Sequence, residues 1–153
     1  MELYLVQHGE AVSEEINPER PLSEKGISDV KKAAAFLKQA GININTIFHS
    51  SKRRACQTAQ ILAQDLLNPK CNVLQREGLT PNDPIDGIFR EILKRDEDLM
   101  IVGHLPFLAR LAGKLLLDSE DKNIIEFKQG SMLLVSGSAN SWKVKWFITP
   151  DLV

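Results

Sequence analysis

Short apolar runs alternate along this chain with longer stretches whose apolar residues recur at helical spacing. Leu3-Tyr4-Leu5-Val6 is brief, apolar and bounded, the pattern of a buried strand. From Ser23 to Ala40 the spacing changes. Ile27, Val30, Ala33, Ala34, Leu37 and Ala40 fall on one side of a helix, Ser23 suits its N-cap, and Gly41 sits where a left-handed stop is wanted. Thr46-Ile47-Phe48 reads as the next strand. A helix from about Arg53 to Leu67 follows, with Ala55, Ala59, Leu62, Ala63 and Leu66 on one side and Asn68-Pro69 as its stop. Val73-Leu74 reads as a short strand, and Asp86 to Lys94 as a helix striped by Ile88, Phe89, Ile92 and Leu93. Leu99 to Val102 is a third strong strand. Pro106 suits the first turn of a helix reaching about Leu117. Two late strands, Ser131 to Val135 and Trp142 to Ile148, flank the turn-rich Gly137-Ser138-Ala139-Asn140.

Strands alternating with helices predict an α/β fold with a mostly parallel sheet. The last two strands have only a tight turn between them, so at least one strand runs antiparallel. In such sheets ligands bind beyond the carboxyl ends of the strands, where the strand order switches.

The composition narrows the function. A length of 153 residues predicts one domain over 1–153. With 43% hydrophobic and 25% charged residues the chain is far from a disordered composition. A formal net charge of −1 argues against nucleic-acid binding, which wants a basic domain, so any phosphate chemistry needs a local cluster of cations. No apolar stretch is long enough to cross a bilayer, and Met1 to Gln7 lacks the pattern of a signal peptide. Cys56 and Cys71 form no C-x-x-C pair and read as free thiols of a cytoplasmic protein.

Each of the three apolar strands is followed by a histidine: His8, His49 and His104. One such residue alone reads as a satisfied polar group. Three on parallel strands converge on one edge of the sheet. Zinc is one reading of three histidines. Arg20, Lys52, Arg53 and Arg54 crowd the same loops, however, and would repel a divalent metal while attracting a phosphoryl group. A histidine that is neutral near physiological pH is also a competent nucleophile for phosphorus. Gly9 removes a side chain beside His8 and so permits close approach of a ligand.

Gln7-His8-Gly9-Glu10-Ala11 resembles the Arg-His-Gly signature of the histidine phosphatase superfamily, with Gln7 where the family has Arg. The resemblance continues through Arg20-Pro21-Leu22-Ser23 with Gly26, Ser50 with Arg54-Ala55 and Gln57-Thr58, Leu79-Thr80-Pro81, and Val102-Gly103-His104-Leu105-Pro106. The order and spacing are most similar to the small SixA-type protein phosphohistidine phosphatases. The resemblance implies a three-layer α/β sandwich of the phosphoglycerate mutase type, with helices on both faces of the sheet. It implies His8 as the transiently phosphorylated nucleophile and His104 as the second catalytic histidine. Arg20 and Arg54 become phosphate clamps, with Gln7 and Gly9 also at the phosphate, and His49 matches no catalytic position. Asp83 and Glu77 are candidate general acids, with Glu10 behind them.

A phosphohistidine substrate needs little help from an acid, because imidazole is a far better leaving group than an alkoxide. So small a chain also has little left over for a lid. Both features favour a histidine-phosphorylated protein, such as a histidine phosphotransfer domain, as the substrate. No metal or organic cofactor is implied. Two other readings stay open: a broad phosphatase for small phosphomonoesters, and a phosphate-binding module made sluggish by Gln7.

Overall fold

The computed structural model describes residues 1–153, except the side chains of Leu67 and Cys71. The elements run β1 (Glu2–Gln7), α1 (Glu24–Gln39), β2 (Ile44–His49), α2 (Arg53–Leu66), β3 (Leu67–Gln75), α3 (Asp86–Leu93), β4 (Leu99–Gly103), α4 (Phe107–Leu117), β5 (Met132–Ser138) and β6 (Ser141–Ile148). A final 3-10 turn spans Pro150–Leu152. The six strands form one sheet in the order β3-β2-β4-β1-β5-β6. The pairs β2–β3, β2–β4 and β1–β4 are parallel; β1–β5 and β5–β6 are antiparallel.

Alternation along the strands builds two cores. Leu3, Leu5, Leu99, Ile101, Leu133 and Val135 pack with Ile88, Ile92, Leu108 and Leu111 of α3 and α4. Tyr4, Val6, Met100, Val102, Met132 and Leu134 face the other way, onto Val30, Ala33 and Leu37 of α1 and Ala55, Ala59 and Leu62 of α2. The sheet is therefore the middle layer of three, and both of its faces hold its register. A slip of one residue would exchange every side chain between the two cores. Full burial of each large aliphatic side chain stabilises the fold by about 1.5–3 kcal/mol.

The helix ends follow their local chemistry. Ser23 caps α1 by accepting the Gly26 amide at 3.0 Å, and Gly41 takes φ +77° after the helix. Pro106 is the N-cap of α4 rather than part of its first turn. Two expectations are corrected. The helix α2 does end just before Asn68-Pro69, at Leu66, but the strand that follows is not the short Val73-Leu74: β3 begins at once at Leu67 and is nine residues long. β3 is an edge strand, where proline is tolerated and polar residues stay exposed, so the apolar alternation that marks a strand is missing there. The final hairpin turns on Ala139 and Asn140 alone, since Gly137 and Ser138 are already in β5. Glycine is required at 137: a Cβ there would lie 2.2 Å from the Ser141 carbonyl oxygen. The thiol of Cys56 is free; the expectation for Cys71 lies outside the described side chains.

Candidate active site

The neighbouring strands β2, β4 and β1 all run the same way, so the residues that follow them emerge together. Gln7 pairs with Gly103, and His49 with Val102. The amide of His8 donates to the Gly103 carbonyl at 3.1 Å, and that of Ser50 to the Val102 carbonyl at 3.3 Å. Across β1, the Gly130 amide donates to the His8 carbonyl at 2.9 Å. The backbone on which His8 stands is thus held from both sides.

His8 is buried, and its ring centroid lies 5.0 Å from that of His104. Its Nδ1 lies 2.7 Å from the Gly9 carbonyl oxygen, so this nitrogen carries the proton and donates. Nε2 then holds the lone pair, and it accepts a hydrogen bond from Arg54 Nε at 3.2 Å. Burial lowers the His8 pKa to about 4; the bond to Gly9 opposes this, while Arg54 and Arg20 add to it. His8 is therefore a neutral imidazole at pH 7, with its free lone pair turned toward a guanidinium.

Arg54 stands in the first turn of α2, and Thr58 ties that turn to the His8 loop. The Thr58 hydroxyl donates to the Arg54 carbonyl at 2.8 Å and accepts the Gly9 amide at 3.1 Å. Gln57 adds a second tie, accepting the Leu22 amide at 2.8 Å. Arg20 comes from the loop before α1, in a left-handed conformation (φ 47°), and its Nε donates to the Val12 carbonyl at 3.2 Å. The Arg54 pKa is lowered by burial and by the nearby Arg20 charge, and Glu14 works against this. Two guanidiniums that repel each other beside a neutral imidazole are electrostatically poised for an anion. Both line an open cleft of about 380 Å³ with Glu14, Glu19, Lys52 and Arg53.

The structure thus brings His8, His104, Arg20 and Arg54 together. Gln7 is buried at the end of β1, and among the described residues its Oε1 has no partner. Gly9 has a packing part beside the one expected. A Cβ there would lie 2.9 Å from Val30 Cγ2 and 3.1 Å from the Gly26 carbonyl oxygen, so the missing side chain makes room for α1. Its amide is already committed to Thr58. The candidate acids are occupied as well. Asp83 accepts from the Thr80 amide at 2.8 Å and the Thr80 hydroxyl at 2.6 Å, which hold its carboxyl below the usual range and favour the carboxylate. Glu77 is exposed and accepts from Gln75, and Glu10 accepts from Ser23. His49 is a satisfied buried residue whose Nδ1 meets the Ser50 carbonyl at 2.8 Å. Among the described residues no group of three or more His, Cys, Asp or Glu is arranged to hold a metal ion, and no helix is long and apolar enough to cross a membrane.

Sequence reasoning gave no role to Ser50, Gln57, Thr58 or Glu14. The first three lie inside the motif blocks, and that was the one signal available for them. Glu14 is one charge among several in a polar loop.

The family model of the histidine phosphatase superfamily (branch 1) matches residues 3–80. An uncharacterized protein of Picosynechococcus sp. is 36% identical, over 91% of this chain and 87% of that protein. Among solved structures, the protein histidine phosphatase SixA complexed with tungstate matches with a TM-score of 0.87 at 20% identity, covering 99% of both chains. The SixA protein of Agrobacterium tumefaciens gives 0.79 at 17% identity, covering 97% of both chains. A phosphoserine phosphatase of Entamoeba histolytica gives 0.67 at 16%, covering 97% of this chain and 96% of that one. At these identities the structural likeness is one of fold.

Proposed function

This chain belongs to the histidine phosphatase superfamily, and from that premise we propose that it hydrolyses phosphohistidine on a protein through a phosphorylated His8. The observation that carries the reading is the fixed state of His8: Nδ1–H held by Gly9, and the Nε2 lone pair facing Arg54.

In the first step Nε2 of His8 attacks phosphorus. The P–N bond of the substrate breaks, its electron pair returns to the departing imidazole, and that nitrogen takes a proton from solvent. Arg54 exchanges its bond to Nε2 for one to a phosphoryl oxygen, and Arg20 pairs with another. Positioning and charge stabilisation are most of what a protein contributes to phosphoryl transfer. The Gly9 carbonyl stabilises the positive charge that the His8 ring gains. In the second step water attacks the phosphoenzyme, the P–Nε2 bond breaks, and inorganic phosphate leaves.

One feature supports a P–N substrate over an ester, and a second supports a protein over a small molecule. The carboxyl of Asp83 is held in its charged form by Thr80, which makes it a weak proton donor to an alkoxide. The cationic cleft is also open enough for a side chain presented by another protein, such as a histidine phosphotransfer domain in the cytoplasm.

The test is incubation with a histidine-phosphorylated phosphotransfer protein and, in parallel, with a sugar phosphate, reading phosphate release. Rapid quench of the parent shows an acid-labile phosphoenzyme. His8→Ala shows none, and its turnover falls by about 10⁴-fold or more, as expected when a covalent nucleophile is lost. Turnover surviving in His8→Ala, or a clear preference for the sugar phosphate, overturns the proposal.

A further inference from the structure

Ser50 is fully buried just beyond β2. With His49 paired to Val102, Ser50 and His104 leave adjacent strand ends side by side. The Ser50 Oγ lies 2.6 Å from His104 Nε2 and also accepts the Lys52 amide at 3.3 Å. The other ring nitrogen of His104, Nδ1, is buried and has no partner among the described residues.

These contacts decide where the ring proton of His104 sits. Burial, with the charges of His8, Arg54, Lys52 and Arg20 acting the same way, lowers its pKa to about 3, so the ring is neutral. A neutral imidazole has one N–H and one lone pair. Suppose Nε2 held the proton. It would donate to Ser50, and the buried Ser50 hydroxyl hydrogen would lose its acceptor. Nδ1 would then present a lone pair, which repels phosphoryl oxygens. The opposite assignment satisfies every group on this side of the ring. Ser50 accepts from Lys52 and donates to Nε2, and the one group left over is an Nδ1–H donor in a ring 5.0 Å from that of His8.

We propose that Ser50 is a positioning residue: by donating to Nε2 it fixes His104 in the Nδ1–H tautomer and makes a neutral ring a hydrogen-bond donor for the phosphoryl group. The phosphatase reading supplies the ligand in this inference, whereas the tautomer rests on the contacts themselves. Ser50 acts through His104 and touches no reacting atom.

The experiment is ¹⁵N spectroscopy of the histidine rings at pH 7, without and with inorganic phosphate, on the parent, Ser50→Ala and Ser50→Thr. In the parent, His104 is protonated at Nδ1, and that proton signal moves when phosphate is added. Ser50→Ala lets the ring relax toward the Nε2–H form that neutral histidine otherwise favours. Phosphate binding then weakens by about tenfold or more, the weight of one hydrogen bond to a charged group. Ser50→Thr keeps the hydroxyl and restores both. A parent protonated at Nε2 overturns the inference, whether or not the alanine variant folds. So does a Ser50→Ala protein that keeps both its Nδ1–H and its phosphate affinity. None of these readouts needs turnover. A parent with the expected tautomer that releases no phosphate from phosphohistidine therefore counts against the functional proposal and supports this one.

Discussion

At the end of β1, His8 Nδ1 meets the Gly9 carbonyl at 2.7 Å; at the end of β2, His49 Nδ1 meets the Ser50 carbonyl at 2.8 Å. Both rings are buried, and in both Nδ1 donates to the carbonyl of the next residue. The surroundings separate them. Arg54 donates to Nε2 of His8, and His104 lies beside it. Among the described residues no guanidinium hydrogen-bonds to His49. Both strands are inner strands that flank β4, whose end supplies His104, so position in the sheet does not separate them; the cation at the outer nitrogen of His8 does. A strand-end histidine becomes a candidate for phosphate chemistry through what neighbouring elements bring to its outer nitrogen. Its own local bonding is the same in both places.

Removing the cation is the strongest way to break that contrast. Arg54→Ala is expected to cost about 2–5 kcal/mol of transition-state stabilisation, the range for losing one partner of a desolvated charge pair. That is roughly 30- to 5,000-fold in kcat/KM on a phosphohistidine protein. Arg53 is the control. It is the preceding residue, and it pairs with Glu19 at the surface, the two side chains being 51% and 66% exposed. Exposed pairs contribute little, so Arg53→Ala is expected to change kcat/KM by less than about fivefold. Steady-state kinetics on both variants decides the matter. Equal losses would mean that the inward cation is not what distinguishes His8.

A change of pH tests the same contrast through stability. His8 and His104 have folded-state pKa values lowered to about 4 and about 3, against 6.5 for the free side chain. Between pH 6.5 and those values the unfolded chain binds more protons than the folded one, so stability falls as pH falls. From pH 7 to pH 5 the two rings together should remove about 3–4 kcal/mol, a large share of the usual 5–15 kcal/mol. Urea unfolding at pH 7, 6 and 5 measures this, and His8→Ala should weaken the dependence. Stability that is flat or rising toward pH 5 would show that the rings are already charged in the folded protein.

How much of this is legible in the sequence depends on burial. Strands β1 and β4, covered on both faces, need unbroken apolar runs, and those runs by themselves place His8 and His104 at the strand ends. β3 is mostly illegible because an edge strand can keep Asn68, Pro69 and Lys70 exposed. The cations Lys52, Arg53 and Arg54 look equivalent in sequence. Helical phase separates them: Ala55, Ala59 and Leu62 face the core, which brings Arg54 to the inner edge of α2. Ser50 and Thr58 are small and polar, and nothing in their identity says that both are fully buried. The packing reason for Gly9 is not visible in the sequence, because a missing side chain looks the same whether it makes room for a ligand or for a helix.

The smallest expected effect, and the one that sharpens the contrast most, concerns Gln7. This residue ends β1 one position before His8 and pairs with Gly103, so it belongs to the corner of the sheet that holds His8 and His104. Its amide offers N–H donors without charge, and its buried Oε1 offers nothing to an anion. Charge-assisted bonds to phosphoryl oxygens are roughly twice as strong as neutral ones. Arg20 and Arg54 already supply two positive charges, so a third is expected to add about tenfold rather than the 10³–10⁵ that a sole arginine can contribute. The gain from Gln7→Arg should depend on the leaving group. An alkoxide leaves poorly, chemistry limits the rate, and missing stabilisation is exposed; an imidazole leaves readily and hides it. We therefore expect kcat/KM to rise by about tenfold on a phosphomonoester and by less than about threefold on phosphohistidine, with both substrates measured at one pH and ionic strength. The same variant should lose some stability without phosphate and regain it with phosphate, because three guanidiniums repel one another until an anion joins them. If Gln7→Arg stays folded but lowers activity on both substrates, Gln7 is accommodated by a rearranged site and the phosphoryl group does not sit between β1 and Arg54.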